Sequence, residues 1–191
     1  KISEAEVMAK AGITDILITY NILGAEKLDR LRRLSESCTL SVTADNAVVV
    51  EGLARTMASA PVPLGVLVEC DTGTGRCGVQ SPEAAAELAA LIAGSKGLEF
   101  RGLMTYPPAG RNVKADEWLA RAKDLCERNG LPCAVISSAG SPDMWGAKDL
   151  KTVTEYRIGT YIYNDRALTT RGVSTFDQCA ARVLATVVSR P

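Results

Sequence analysis

The chain has 191 residues, 47% of them hydrophobic and 23% charged, which is enough for one domain with a buried core. Lysine plus arginine and aspartate plus glutamate both number 22, so no basic surplus indicates nucleic-acid binding. The longest apolar stretches are too short to span a bilayer, and the first residues do not match a signal peptide. We therefore expect a cytoplasmic protein that associates with neither membranes nor nucleic acid.

Histidine is absent from the chain, whereas cysteine is frequent. The missing histidine excludes Ser-His-Asp and Cys-His catalysis and argues against a zinc site. None of the six cysteines forms a C-x-x-C pair, and Cys70 and Cys133 fall in apolar segments. We interpret the cysteines as reduced core thiols rather than as a disulfide framework.

Short β-rich runs alternate with helical segments along the chain. In chain order the pattern predicts helix 4–11, strand 15–20, helix 24–37, strand 39–43, a helix that ends at 58, strand 63–70, helix 82–94, strand 98–105, helix 114–129, strand 133–137 and strand 153–156. Asp45 is the predicted N-cap of the third helix, and Ser81 followed by Pro82 begins the fourth.

Strands that alternate with helices at this spacing pair in parallel through right-handed crossovers. An open doubly wound sheet and a TIM-type (β/α)8 barrel both fit the pattern. Six strands are predicted where such a barrel needs eight, so a barrel would be incomplete, with its first two strands expected before residue 1. Residues 182–189 have a strand pattern with no helix after it. We therefore predict a partial barrel at 1–180 and the first strand of a C-terminal β domain at 181–191.

Candidate site residues follow the carboxyl ends of the predicted strands, where parallel β/α folds place their functional groups. The loop after strand 63–70 reads DTGTGRCG over residues 71–78. Its three glycines permit tight turns and close approach to a ligand. Arg76 in this loop can donate a fork of hydrogen bonds to an anionic oxygen. The loop lacks the P-loop pattern, so no nucleotide site is indicated.

Two later loops are candidates for a phosphate site. Residues 137–143 read SSAGSPD and residues 157–161 read RIGTY. Backbone N–H groups and hydroxyls in the last loops of a barrel commonly bind phosphate, although the same residues also suit ordinary turns. Tyr106 follows the fourth strand at the same edge, either as a site residue or as a packing residue. Glu69 and residues 164–166 are candidates for supporting contacts or for solvated loop and ion-pair positions.

The motifs and their order resemble one family. DTGTGRCG resembles the D-x-G-x-x-R-x-G stretch of the alanine-racemase-like, fold-type III pyridoxal-phosphate enzymes, and GLMTY at 102–106 resembles the strand that follows it. Residues 157–165 and 183–191 are similar to the branch that contains D-threonine aldolase and D-serine dehydratase, as are 4–8 and 15–18. The likeness covers nearly the whole chain.

The resemblance implies roles for eight residues as contacts of pyridoxal 5'-phosphate: Arg76, Tyr106, Ser138, Gly140, Ser141, Arg157, Gly159 and Thr160. Arg76 is expected to face the phenolic oxygen of the cofactor, and Arg157 is expected to donate a hydrogen bond to its pyridine nitrogen. The serines, the glycines and the Thr160 backbone are expected to hold the phosphate, with Tyr106 near the ring.

The resemblance also implies parts that this chain lacks. In the family a lysine at the end of the first barrel strand forms the Schiff base with the cofactor, and none of the lysines here occupies that position. The catalytic residues therefore stay unknown. The branch also binds a divalent metal (Mn, Mg or Zn) in a C-terminal β domain, and family members are often homodimers. We expect this chain to be a fragment, inactive alone, of such an enzyme.

The leading hypothesis for the intact protein is a pyridoxal-phosphate-dependent lyase that acts on D-amino acids. We favour cleavage of D-threonine or another D-3-hydroxy amino acid to glycine and an aldehyde. D-serine dehydration and amino-acid racemisation are the alternatives. Another class is a non-enzymatic pyridoxal-phosphate-binding protein of cofactor homeostasis. Residues 183–191 argue against that class, because they lead toward a second domain. An unrelated doubly wound hydrolase or transferase would have to match the ordered motifs by chance.

Overall fold

The computed structural model describes residues 1–190. Its helices are α1 (Ile2–Lys10), α2 (Ala25–Leu34), α3 (Ala47–Met57), α4 (Pro82–Ala93), α5 (Asn112–Arg128) and α6 (Arg166–Thr170). Its strands are β1 (Asp15–Ile18), β2 (Thr39–Ala44), β3 (Leu64–Cys70), β4 (Leu98–Thr105), β5 (Val135–Ala139) and β6 (Glu155–Arg157). Short 3₁₀ segments occupy Ser141–Asp149, Thr160–Ile162 and Phe176–Gln178.

The six strands are all parallel and lie side by side in chain order from β1 to β6. A doubly wound sheet would reverse its strand order at a switch point, and this sheet does not. Helices α1 to α5 pack successively on one another, each against the next. Sequential strands with helices along one face are the winding of a β/α barrel. The prediction of an incomplete (β/α)8 barrel with six strands is therefore confirmed.

The face of the sheet that the helices cover, here called the outer face, is apolar. Val66, Val68 and Leu103 are fully buried there, in one cluster with Leu53 of α3 and Leu119 of α5. Burial of each such side chain contributes about 1.5–3 kcal/mol. The cluster therefore supplies much of the free energy that holds the helices against the sheet.

The opposite face, here called the inner face, carries polar side chains. Glu69 lies beside Met104 in the sheet register, Met104 beside Ser137, and Ser137 beside Glu155. Side chains alternate along a strand, so these four residues point away from the helices. Glu69 and Ser137 are buried, and buried polar groups need hydrogen-bond partners inside the fold.

A bulge in β4 keeps the inner-face row in register. Val66 pairs with Phe100 and Leu67 with Gly102, so Arg101 has no partner on β3. Gly102 has φ 141°, and a Cβ there would overlap the backbone of Val135 on β5. Only glycine permits this close approach of β4 to β5.

Most predicted segments are confirmed, with three corrections. The fifth strand is Val135–Ala139 rather than 133–137, because pairing with β4 begins only at Val135. The N-cap of α3 is Asn46 rather than Asp45: Asn46 Oδ1 accepts the Val49 N–H at 3.0 Å, whereas Asp45 bonds to neighbouring loops. The sixth strand is Glu155–Arg157 rather than 153–156, because Glu155 is the first residue paired with β5. Residues 182–189 pair with none of the described strands, and their assignment as the first strand of a C-terminal β domain stays a prediction. The domain division at residue 180 stays a prediction.

The structure also bears on the membrane and cysteine predictions. Among residues 1–190, no helix is both long enough and apolar enough to cross a membrane. The six cysteines are free thiols, and Cys70, Cys126 and Cys133 are buried.

Candidate functional site

Loops at the carboxyl edge of the sheet converge on one cavity of about 330 Å³. Nine residues from the strand ends and the loops after them line it: Thr19, Tyr20, Arg76, Met104, Tyr106, Ala139, Arg157, Ile158 and Gly159. Four of the eight predicted site residues, Arg76, Tyr106, Arg157 and Gly159, therefore lie at the same cavity. Thr19, Tyr20 and Ile158 were missed, because the pattern placed Thr19 and Tyr20 inside a strand that ends at Ile18, and nothing in the local sequence distinguishes Ile158 from other loop residues.

Asp71 closes the loop that presents Arg76. Its Oδ1 accepts the backbone N–H groups of Gly73, Thr74 and Gly75 at 2.9, 2.8 and 3.1 Å. Burial raises the pKa of Asp71, but the hydrogen bonds from Gly73 and Gly75 outweigh it and leave the pKa below its ordinary value. The carboxylate is thus ionised at neutral pH and holds the loop closed.

Arg76 and Tyr106 contact each other at the cavity. The guanidinium carbon lies 5.0 Å from the centre of the tyrosine ring, which is a cation–π contact. The Thr74 hydroxyl donates to the Tyr106 carbonyl at 2.6 Å and fastens the two loops together. A hydrogen bond with Cys77 raises the pKa of Arg76, so the side chain remains a cation. One part of the cavity wall thus carries a positive charge over an aromatic ring.

Arg157, at the end of β6, is held by residues of β5 and β4. Its Nη1 donates to the Ser137 hydroxyl, which in turn donates to Glu155, and its Nη2 donates to the Thr105 carbonyl at 2.8 Å. Burial lowers the pKa of Arg157, and the charges of Glu155 and Glu69 oppose that change. Because a guanidinium has only donors, Arg157 can offer a ligand a hydrogen bond but cannot accept one.

The two predicted phosphate loops meet after β5 and β6. The Thr160 N–H donates to Ser141 Oγ at 3.2 Å, and the Gly140 N–H donates to the Arg157 carbonyl at 3.3 Å. Within residues 1–190 the Ser141 hydroxyl has no acceptor for its own proton. A Cβ at Gly159 would meet no atom within 4 Å, so the backbone there is open to a ligand. The two N–H groups thus join the loops, and they bring the Ser141 hydroxyl and the open backbone of Gly159 to one place, where a phosphate could accept hydrogen bonds.

Ser138 lies apart from the other predicted residues. Ser137 points to the inner face, so Ser138, one residue later, points to the outer face, where it is buried. Its role in phosphate binding stays a prediction. Ser137, which the pattern did not single out, is the serine of β5 that contacts Arg157.

Several supporting contacts were not predictable from the sequence. The Thr105 hydroxyl donates to the Cys70 carbonyl at 2.8 Å, while the Thr105 carbonyl accepts from Arg157. Asp45 accepts from Asn21 Nδ2 at 2.6 Å and from the Gly78 N–H at 3.2 Å, and so joins loops after β1, β2 and β3. Threonine and aspartate are common at strand ends, and only their partners show that they tie the site loops together.

The groups that the pattern left open are now placed. Glu69 is buried and accepts from the Thr43 hydroxyl at 3.3 Å and the Cys77 thiol at 3.0 Å, so it makes supporting contacts beside the site. Asp165 caps α6 by accepting the Leu168 N–H at 2.9 Å. Asn164 donates to the Gln178 carbonyl, and residues 164 and 165 are therefore loop and capping positions.

The donors at the cavity fit an aromatic anion that carries a phosphate group. Neither Arg76 nor Arg157 forms a salt bridge with any described carboxylate. Two arginines without a directly paired carboxylate at a partly enclosed cavity favour an anionic ligand, and the Tyr106 ring offers it an aromatic surface. No lysine lines this cavity, and residues 1–190 contain no group of three or more side chains placed to hold a metal ion.

Known proteins with related sequences share this fold. The 3-hydroxy-D-aspartate aldolase of Paracoccus denitrificans (strain Pd 1222) is 32% identical, over 86% of this chain and 46% of its own length. The D-threonine aldolase of Arthrobacter sp is 30% identical, over 100% of this chain and 54% of its own length. The crystal structure of D-threonine aldolase from Filomicrobium marinum matches with a TM-score of 0.84 and 31% identity, over 90% of this chain and 49% of that chain.

The chain spans about half the length of the curated relatives it matches. Residues 1–167 match the family described as alanine racemase, N-terminal domain, and the chain belongs to that family.

Proposed function

We propose that this chain is the cofactor-binding part of a pyridoxal-phosphate-dependent lyase that acts on D-3-hydroxy amino acids. The observation that carries the proposal is the pair of arginines, Arg76 and Arg157, at one cavity beside the meeting point of two phosphate-type loops. The relatives named 3-hydroxy-D-aspartate aldolase and D-threonine aldolase support this substrate class.

The cavity residues would bind and orient the cofactor. Pyridoxal phosphate, when bound, supplies a sink for the electron pair that is released as a bond to the substrate Cα breaks. Arg157 would donate to the pyridine nitrogen and leave it unprotonated, because the guanidinium cannot accept a hydrogen bond. Arg76 would donate to the phenolic oxygen, held in place by its contact with Tyr106.

The loops after β5 and β6 would hold the phosphate. The Ser141 hydroxyl and the Gly159 N–H would be neutral donors, which neither add nor remove charge at the arginines, while the N–H groups of Gly140 and Thr160 hold the two loops together. We keep Ser138 in this set as a prediction, although its side chain lies on the outer face. These contacts would hold the cofactor by its phosphate, which is distant from its reacting atoms. The binding energy of the phosphate would thus help to orient the reacting atoms.

In the reaction we favour, the Cα–Cβ bond of a D-3-hydroxy amino acid breaks to give glycine and an aldehyde. This requires a base for the 3-hydroxyl proton and a lysine for the cofactor, and we assign neither to a residue of this chain. We propose that the full-length protein supplies both, together with a divalent metal (Mn, Mg or Zn) in a C-terminal β domain. A homodimer and a cytoplasmic location also stay predictions.

The products formed from D-threonine would test the proposal in the full-length protein. Glycine and acetaldehyde are expected for the aldolase, 2-oxobutanoate and ammonia for a dehydratase, and the Cα epimer for a racemase. D-2-Aminobutanoate, which lacks the 3-hydroxyl, is the matched control substrate, and the lyases should leave it unchanged. Cofactor binding without turnover of any D-3-hydroxy amino acid would contradict the proposal and favour a cofactor-handling protein.

A further inference from the structure

The Gly140 carbonyl, at the start of the phosphate loop after β5, is held by a pair of side chains. The Tyr156 hydroxyl donates to this carbonyl at 3.0 Å. Asn112, the first residue of α5, donates through Nδ2 to the same hydroxyl at 2.8 Å. Tyr156 directly precedes Arg157 and pairs with Ser138 in the sheet register. The contacts thus connect a helix on the outer face to a loop at the cavity edge.

The chemistry of the groups sets the direction of these hydrogen bonds. A carbonyl can only accept, so Tyr156 must give its single proton to Gly140 and must accept from Asn112. Burial raises the pKa of Tyr156, which keeps the phenol protonated and able to donate at neutral pH. The amide of Asn112 must then turn its Nδ2 toward the tyrosine. Its Oδ1 is left buried without a partner among residues 1–190. The amide of Asn112 therefore has one partner within the described residues, the Tyr156 hydroxyl.

The carbonyl that Tyr156 holds belongs to the same peptide plane as the Ser141 N–H. In a trans peptide the C=O and the N–H point in opposite directions, so fixing one fixes the other. The Ser141 N–H donates to no acceptor in the described part of the chain. Gly140 has φ 128° and ψ 105°, a conformation from which a glycine backbone can readily rotate. The contact with Tyr156 restrains that rotation.

We propose that Tyr156 is a positioning residue for the cofactor's phosphate group, acting through the Gly140–Ser141 peptide, with Asn112 holding the tyrosine in turn. The inference rests on the proposed function, because it concerns the loop assigned there to the phosphate. With the peptide fixed, the Ser141 N–H and hydroxyl are both in place before the phosphate arrives, and the ligand loses less affinity in ordering them.

The test compares two ligands that differ only in the phosphate. The apo form of the full-length protein is titrated with pyridoxal phosphate and with pyridoxal, for the wild type and for Tyr156→Phe. We expect Tyr156→Phe to weaken pyridoxal-phosphate binding about 5- to 10-fold, the effect of one lost hydrogen bond, and to leave pyridoxal binding unchanged. Tyr163→Phe, at an exposed tyrosine outside the site, is the matched control and should change neither affinity.

A second variant makes the result independent of how well Tyr156→Phe folds. Asn112→Ala should weaken pyridoxal-phosphate binding in the same direction by a smaller factor. The double variant should bind no more weakly than Tyr156→Phe, because both changes interrupt one chain of contacts.

The possible outcomes separate this inference from the function on which it rests. Equal weakening of both ligands in both variants would overturn it, since a merely structural role affects them alike. A wild-type preference for the phosphorylated ligand that survives both substitutions would overturn it as well, and would leave the phosphate site intact. A wild type without that preference would contradict the phosphate site itself.

Discussion

The two faces of this sheet follow different chemistry. On the outer face, Val66, Val68 and Leu103 are fully buried in one apolar cluster with residues of the helices. On the inner face, Glu69 and Ser137 are equally well buried, but each is held by hydrogen bonds to side chains of adjacent elements. The outer face holds the helices by burying apolar surface, whereas hydrogen bonds on the inner face fix the orientation of polar side chains.

The difference indicates where stability and function lie. Apolar contacts are non-directional, so the outer face tolerates no loss of volume but prescribes no ligand geometry. Hydrogen bonds to Arg157 are directional and fix a charged group at the cavity. Substitutions in the apolar cluster of the outer face should therefore change the free energy of unfolding most, and those of residues hydrogen-bonded to the cavity loops should change ligand binding most.

The largest expected effect is on stability, from Leu103→Ala. Removing a fully buried leucine leaves a cavity that costs about 2–5 kcal/mol of the free energy of unfolding. Urea unfolding of the full-length protein measures this cost. Leu23→Ala, at a leucine that is 48% exposed, is the matched control and should stay within about 1 kcal/mol of the wild type. Similar midpoints for the two variants would mean that the outer face is not the main source of stability.

The next largest effect is on ligand binding, from Arg157→Lys. Lysine keeps the charge but loses the fork that reaches Ser137 and the Thr105 carbonyl together. We expect pyridoxal phosphate to bind about 10- to 100-fold more weakly, as for a lost hydrogen bond to a charged group. Arg121→Lys, on an exposed part of α5, is the control for the exchange itself. Unchanged affinity and an unchanged cofactor spectrum in Arg157→Lys would show that Arg157 does not contact the ligand.

The smallest effect is expected from Asp71→Asn, which weakens the contacts that close the Arg76 loop. The neutral amide accepts the three backbone N–H groups less strongly, so pyridoxal phosphate should bind about 3- to 10-fold more weakly. Asp124→Asn, at an exposed position of α5, should have no such effect. Equal affinities of the two variants for pyridoxal phosphate would show that Asp71 does not contribute to the binding of this ligand.

The stability of the same variant, Asp71→Asn, relative to the wild type should depend on pH. The pKa of Asp71 lies below its ordinary value of 3.8, so the carboxylate stabilises the folded state fully above that value and loses this effect as the pH falls through the lowered pKa. The stability difference between wild type and Asp71→Asn should therefore be constant between about pH 5 and 8 and shrink in stronger acid. A difference that grows on acidification would mean that the pKa is raised instead.

The sequence was a good guide to segments and to one set of site residues. The alternation of apolar runs, Gly and Pro placed α1 to α5 and the six strands within a few residues, and β4 at its observed bounds, whereas α6 was not predicted. Arg76, Tyr106, Arg157 and Gly159 were expected at one site because each follows the carboxyl end of a strand. The contacts of Thr105, Asp45 and Tyr156 were not expected, since their partners are 16 to 52 residues away along the chain.

By itself, the sequence determined the parallel β/α architecture and the order of the loops that form the cavity. The hydrophobic periodicity and the turn residues are local signals that predict individual helices and strands. Right-handed crossovers between parallel strands then predict how these strands are ordered in the sheet. Only the tertiary structure decided which serine of β5 contacts Arg157, because adjacent residues of a strand point to opposite faces and the sequence does not show which of the two points inward. Only the tertiary structure, likewise, placed a tyrosine behind Gly140, since hydrogen bonds between distant segments form after the sheet has brought them together.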